Sequence, residues 1–270
     1  MDLLRRELAP ISQQGWSEID SMARETLVAN ISGRKFIDID GPHGIEHSCV
    51  TLGRLSIPKT QKKGNVGYGI HQVLPLVEAR INFSLQTWEL DNIERGAKDI
   101  QLDPLVDACR DIATFEEKAI YDGFEPGQIV GLQKIVAGKE LSLALDMDAI
   151  VDAVSEGQTK MLRDGVEGST NLVVCDRLWK FLARSTPGGS LRSLLEKQIE
   201  GRVIYSACVQ DALLVASRGG DLELTVGQDF AVGYHSHTSS EVNLFVTESF
   251  TFRVVAPEAL VGFKLMQGKK

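Results

Sequence analysis

The residues best suited to chemistry stand together at 43–47, where His43-Gly44-Ile45-Glu46-His47 spells H-x-x-E-H. On a helix this spacing sets two imidazoles on a zinc ion, with a carboxylate alongside as general base. Here the run follows Gly41-Pro42, contains Gly44 and has no apolar residues at helical spacing around it. A loop is expected, and metalloprotease chemistry is not. His235-Ser236-His237 offers two further imidazoles. Two ligands are too few to hold a metal, and a polar turn before Val242 accounts for them. Glu89, Asp91 and Glu94 crowd into residues 87–96. Paired carboxylates can do acid–base work, but with Arg95 on the same short helix they read as a solvated face. Cys49, Cys109, Cys175 and Cys208 stand far apart and form no Cys-x-x-Cys pair. They read as buried thiols of a reducing cytoplasm. No Gly-x-Ser-x-Gly elbow is present, so a hydrolase lacks its nucleophile.

Composition narrows the classes further. At 270 residues the chain can bury a large core, as one elaborate domain or two. A hydrophobic fraction of 43% with 24% charged residues suits a soluble globular protein. Twenty-nine basic against 37 acidic residues give a formal charge of −8. Nucleic-acid binding needs a basic field, so it is not expected. Residues 1–9 carry Arg5, Arg6 and Glu7 instead of an apolar leader, and no apolar run approaches membrane-spanning length.

The elements follow from periodicity. Residues 211–260 read as the scaffold: three or four short strands and a terminal helix. Phe250, Phe252 and Val254 alternate with Ser249, Thr251 and Arg253, the period of a half-buried strand. Gly219-Gly220-Asp221 and Gly227-Gln228-Asp229 mark turns. Trp16, Ile19, Ala23 and Leu27 recur at helical spacing and predict a helix over about 14–30, capped by Ser12 and stopped near Gly33. Residues 34–39 read as a strand. Residues 51–85 read as one long hairpin with its tip at 58–65 and an alternating return strand at 77–85. A two-stranded arm cannot bury both faces, and its edges invite a second chain. Asp103-Pro104 predicts a capped helix start, and Leu105, Ala108, Cys109, Ile112, Phe115, Ala119 and Ile120 its apolar stripe, ended by Gly123. Residues 127–138 read as loop and short strand. Helices at 150–162 (capped by Asp146 or Asp148), 176–183 and 191–199 alternate with strands at 171–175 and 203–206. That alternation predicts a compact α/β lobe.

Several stretches together resemble one family, the encapsulins, also called linocin-type bacteriocins. They are Leu8-Ala9-Pro10, residues 16–19, Gly33-Arg34-Lys35-Phe36-Ile37-Asp38, residues 88–96, Arg218-Gly219-Gly220-Asp221, Gly227-Gln228-Asp229 and Thr247-Glu248-Ser249-Phe250-Thr251-Phe252. Their shared order covers essentially the whole chain. The resemblance implies an α+β fold, that of tailed-bacteriophage major capsid proteins of the Hong Kong-97 type. It implies a shell protein without catalysis of its own, many copies of which build a closed icosahedral nanocompartment in the bacterial cytoplasm. The shell would enclose a cargo enzyme, a dye-decolourising peroxidase or a ferritin-like iron oxidase, tying it to iron storage and oxidative stress. The alternatives are a phage capsid protein proper and, less well supported, a peptidase or bacteriocin.

The resemblance also divides the chain. Residues 1–50 would be the N-terminal helix and arm, 51–86 the extended loop, and 87–131 peripheral domain with the long helix. Residues 132–212 would be the axial domain, and 213–270 the strands and helix that complete the peripheral domain. A C-terminal cargo peptide would dock on Leu27, Ile31, Arg34, Ile37, Asp38, Phe230 and Val232, with Arg34 and Asp38 fixing its register. Ser185, Thr186, Pro187, Gly188, Gly189 and Ser190 would line the fivefold pore, the glycines giving a mobile or widened opening. Some members stack a flavin between a tryptophan matching Trp88 and a tyrosine in that loop. The loop here has no tyrosine, so no cofactor is expected, and no metal.

Overall fold

The computed structural model describes residues 3–59, 66–186 and 189–266. Helix α1 (Gln13–Asn30) starts where the Ser12 hydroxyl accepts the Gly15 N–H, an N-cap as its sequence demands. Its buried stripe is Ile19, Ala23 and Leu27, the expected spacing. The stretch read as a strand at 34–39 instead turns as a single 3-10 turn, Gly33–Lys35, before strand β1 (Asp38–Asp40). Gly33 permits this, because a Cβ there would stand 2.9 Å from the Ile120 side chain.

The arm is shorter than its sequence suggested. Strand β2 (Cys49–Ser56) pairs antiparallel with β3 (Ile70–Pro75), and the expected tip falls largely on residues 60–65, outside the described residues. The alternating run read as the return strand is a separate strand, β4 (Val77–Gln86), paired with the central sheet. Alternation reports one buried face and does not name the partner, which explains the difference.

Helix α2 (Thr87–Glu94) leads to the long helix α3 (Asp103–Tyr121). Leu102, not Asp103, is its N-cap, with Pro104 in the first turn. Gly123 ends it at a positive φ of 90°, where a Cβ would lie 2.7 Å from the Gly131 nitrogen. Strands β5 (Gly123–Phe124) and β6 (Ile129–Val130) form a short hairpin. A helix then appears where a loop was expected, α4 (Leu132–Val136). The lobe continues with β7 (Leu141–Leu143), α5 (Met147–Arg163), β8 (Thr170–Val174) and α6 (Asp176–Leu182). Asp146 caps α5. Next come β9 (Ser185–Thr186), β10 (Gly189–Ser190), α7 (Leu191–Ile199) and β11 (Val203–Tyr205). The C-terminal strands are β12 (Ala212–Ala216), β13 (Leu222–Val226), β14 (Ala231–His237), β15 (Glu241–Val254) and β16 (Leu260–Leu265).

Two sheets organise the molecule. In the first, the 14-residue β15 is the centre. Phe250 pairs with Val77 of β4 and with Val226 of β13, and Val246 with Ile81 of β4 and Val232 of β14. Hence β13 and β14 follow one another along one edge of β15, with β4 on the other. β1 adds parallel to β13. The second sheet runs β11-β8-β12-β16-β7. The expected terminal helix is therefore a 3-10 turn, Pro257–Ala259, followed by β16 between β12 and β7. Pairing on both edges outweighs the helix signal of Pro257-Glu258-Ala259. The division at residue 213 also moves, since β12 and β16 both belong to the lobe's sheet. Ser249 and Thr251, expected outside, are buried, because β15 is covered on both faces.

Helix α3 joins two cores. Leu105, Ala108, Cys109, Ile112 and Ala113 pack with α1, β4 and β14, while Ala119, Ile120 and Tyr121 enter the lobe's core. Phe250 is fully buried, packed edge-on to Phe115 with ring centroids 6.1 Å apart. Phe250→Ala should lower stability by about 3–5 kcal/mol. Guanidinium unfolding reads this, and an unchanged midpoint would show that the crossing of β4, β15 and β13 is not the structural centre.

Candidate docking groove

The turn after α1 is fixed by two adjacent acids of α3. Arg34 Nε lies 3.0 Å from both oxygens of Glu116, and its Nη2 lies 2.5 Å from Glu116 Oε2. Nη1 donates to Asp229 Oδ1 at 2.7 Å, and Nη2 stands 3.5 Å from Glu248 Oε2 on β15. The guanidinium also covers the Phe230 ring at 4.6 Å. Glu116 and Glu248 are fully buried. Burial works against the Arg34 charge, but its bonds to Glu116 and Asp229 outweigh that and hold its pKa above the usual value. Burial, and then the charge of Glu116, push Glu248 well above the carboxylate range. Among the described residues its Oε1 has no hydrogen-bond partner. Glu117 faces the other way. It accepts from the Ser32 hydroxyl and from the Gly33 N–H at 2.8 Å, and burial raises its pKa too.

Beside this cluster lies a groove of about 670 Å³ between α1 and β14. Leu27, Ile31 and Val232 are its buried apolar floor, and Val28, 63% exposed, stands on its wall. Arg6, Asp20, Arg24, Lys35 and Asp229 rim it. Arg6 closes one end, paired with Asp20 at 2.8 Å and stacked 3.9 Å over Trp16. Such a cleft suits an extended apolar segment with a few polar anchors.

Five of the seven predicted docking residues line this groove: Leu27, Ile31, Arg34, Phe230 and Val232. Ile37 and Asp38 do not. Ile37 is buried in the lobe's core, and Asp38 accepts the Gly220 N–H at 2.6 Å. The turn at Gly33–Lys35 carries them past the groove. Arg34 lines the groove with its Nε, Nη1 and Nη2 groups all bonded to Glu116, Asp229 or Glu248, which leaves one Nη1 hydrogen for a ligand. Val28 was missed, although Leu27-Val28 places an apolar residue just off the buried stripe.

The other candidates lie elsewhere. His43 and His47 sit in a loop, their rings 4.7 Å apart, with His43 Nε2 2.9 Å from Asp40. His235 and His237 end strand β14, rather than a turn, and His237 Nδ1 meets the Tyr234 hydroxyl at 2.6 Å. Among the described residues no group of three His, Cys, Asp or Glu could hold a metal. Ser185, Thr186, Gly189 and Ser190 form the β9–β10 ladder, while Pro187 and Gly188 fall outside the described residues. Trp88 is 72% exposed, with Arg95 5.5 Å from its ring. Residues 185–190 contain no tyrosine that could face Trp88 across a bound ring. Glu89 accepts the Gln101 N–H and Glu94 the Ser12 hydroxyl, so the acidic cluster ties α2 to its neighbours. Burial pushes the Cys109 thiol up to about 11, as an inert core thiol requires.

Comparison with known proteins gives a consistent picture. A family described as "Encapsulating protein for peroxidase" matches residues 1–251. The type 1 encapsulin shell protein of Rhodospirillum rubrum is 39% identical over 269 residues, covering 97% of this chain and 96% of that one. The virus-like particle protein of Pyrococcus furiosus superposes with a TM-score of 0.63 at 14% identity, over 91% of this chain and 97% of that one. The capsid protein of Myoviridae phage XM1 gives 0.56 at 12% identity, over 86% and 90%. The phage capsid fold expected from sequence is thus the one observed.

The buried acid supplies a pH test. With its folded pKa raised, Glu248 contributes stability at low pH that is lost as pH rises from about 4.3, the usual Glu value, through the folded value. The stability of Glu248→Gln relative to the parent should therefore grow as pH rises, read by unfolding at several pH values. A flat difference would mean that Glu248 titrates as a solvated carboxylate.

Proposed function

The chain belongs to the family of encapsulating proteins for peroxidase and is an encapsulin shell protein, and on that premise we propose that its copies close an icosahedral compartment whose α1–β14 groove takes the C-terminal peptide of a cargo enzyme. The observation that carries the docking half is the groove itself. It pairs a preformed apolar floor with exposed Val28, beside an arginine already held by three acids. An extended peptide would bury alternate apolar side chains on Leu27, Ile31 and Val232. The cargo, on this reading, is a peroxidase or a ferritin-like iron oxidase serving oxidative-stress defence or iron storage. The shell contributes containment and no catalysis. The β9–β10 hairpin of the lobe would stand at the fivefold pore. No helix among the described residues is long and apolar enough to cross a membrane, and the bacterial cytoplasm is the proposed setting, in keeping with four free cysteines.

Assembly is carried by the β2–β3 arm. Leu55, Ile57, Ile70 and Val73 are exposed on it. So much apolar surface on a two-stranded ribbon calls for a neighbouring subunit.

Negative-stain microscopy of the chain expressed alone should show closed particles of one diameter. Ile70→Asp should yield small oligomers from a folded subunit. If it assembles normally, the arm is not the fastener. For docking, Val28→Asp should leave particles intact and reduce co-purified cargo about tenfold, from the lost burial of one valine. Unchanged loading of a co-expressed peroxidase or ferritin-like protein bearing its C-terminal peptide would remove the groove from the mechanism.

A further inference from the structure

A second cavity, of about 410 Å³, lies on the other side of the α1 terminus, between residues 29–32, α6, α7 and β11. It has the size of a small-ligand site. Lys35, Arg192 and Arg202 line it, and no Asp or Glu does, in a chain of net charge −8. Arg192 is paired with Glu196 at 3.0 Å. The side chains of Lys35 and Arg202 make no ion pair among the described residues. Two aromatic rings share the wall: Trp179 and Tyr205, with centroids 5.8 Å apart, Tyr205 being 40% exposed. Arg192 covers one face of Trp179 at 4.6 Å. Ala29, next to the last residue of α1, also lines the wall. The Gly33 N–H that would close a helical bond to the Ala29 carbonyl goes instead to Glu117 Oε1 at 2.8 Å. The Ala29 carbonyl therefore lacks its helical partner.

Unpaired cations, an exposed ring and a helix-end residue with a freed carbonyl around one small cavity form a recognisable set. We propose that this cavity binds a nucleoside monophosphate carrying an aromatic amine. The phosphate would lie between Lys35 and Arg202, the base would pack on Tyr205, and its amino group would donate to the Ala29 carbonyl. The site is separate from the cargo groove, touching it only through Ile31 and Lys35.

The test is calorimetric titration of AMP into the assembled shell, with adenosine and inorganic phosphate as split probes. AMP should bind saturably, one per subunit, and more tightly than either part. Arg202→Ala should weaken it about tenfold, the loss of one hydrogen bond to a charged group. Tyr205→Leu should weaken it about fivefold or more through lost stacking. Both residues are exposed, so intact particles by microscopy serve as the folding control. The proposal falls if AMP gives no saturable heat up to millimolar concentration, or if phosphate alone binds as tightly. It also falls if both variants bind as the parent does, or if only dissociated subunits bind, which would assign the cavity to a contact between copies.

Discussion

One buried interaction sets where most other parts must stand: the guanidinium of Arg34 among Glu116, Glu248 and Asp229. These four residues come from the turn after α1, from α3, from β15 and from the β13–β14 connection. They are therefore the point at which the N-terminal segment is located against the sheet. Taking such charges out of water costs several kcal/mol per ion, and the Coulomb gain roughly offsets it. The cluster adds little net stability when whole. Any displacement of α1's end would leave the buried Glu116 carboxylate without its cation, and that is the expensive state. It therefore holds position through the penalty for moving. Glu117 doubles the effect from the opposite side of α3 by holding Ser32 and Gly33.

The same cluster explains the character of the groove. Arg34 lies at its side with most of its donors engaged, so a peptide docked as proposed would meet a stiff wall instead of a free charge. On the proposed reading, affinity would come mainly from burying apolar side chains on Leu27, Ile31, Val28 and Val232. Preformed walls reduce the ordering cost of binding. The sheet supports this stiffness. β15 carries β4 along one edge and β13 and β14 along the other, so the floor residue Val232 is pinned through Val246 to Ile81.

Much of this was legible before any coordinates. The stripe of α1, its Ser12 cap, the strand–helix alternation of the lobe and the long α3 follow from periodicity and end signals. The buried charges also left a trace. Glu116 sits four residues from both Ile112 and Ile120, inside the apolar stripe, and Glu248 shares the parity of Phe250 and Phe252. An acid at a core position implies a buried partner. What periodicity could not supply was pairing. Residues 77–86 alternate just as an arm strand would, but their partner is β15. Residues 260–265 lack alternation because β16 is covered on both faces and paired on both edges. Ile37 and Asp38 were placed in the groove by the family resemblance, and the 3-10 turn Gly33–Lys35 separates them from it.

A closed shell changes what the groove must achieve. On the proposed function each subunit would offer one such site, and enclosed cargo would face many of them at once. A multimeric enzyme presenting several terminal peptides is then held by effective concentration as much as by any single contact, and linked sites can raise overall binding by about 10²–10⁴ without new contacts. A modest apolar cleft is enough under that arrangement, and a very tight one would hinder correction of misplaced cargo during closure. The stringent requirement moves to geometry: every groove must present the same floor in the same place relative to the sheet. Arg34 and its three acids would meet that requirement, and on this reading an ion cluster that contributes little net stability stands beside a surface whose shape has to be the same in every copy.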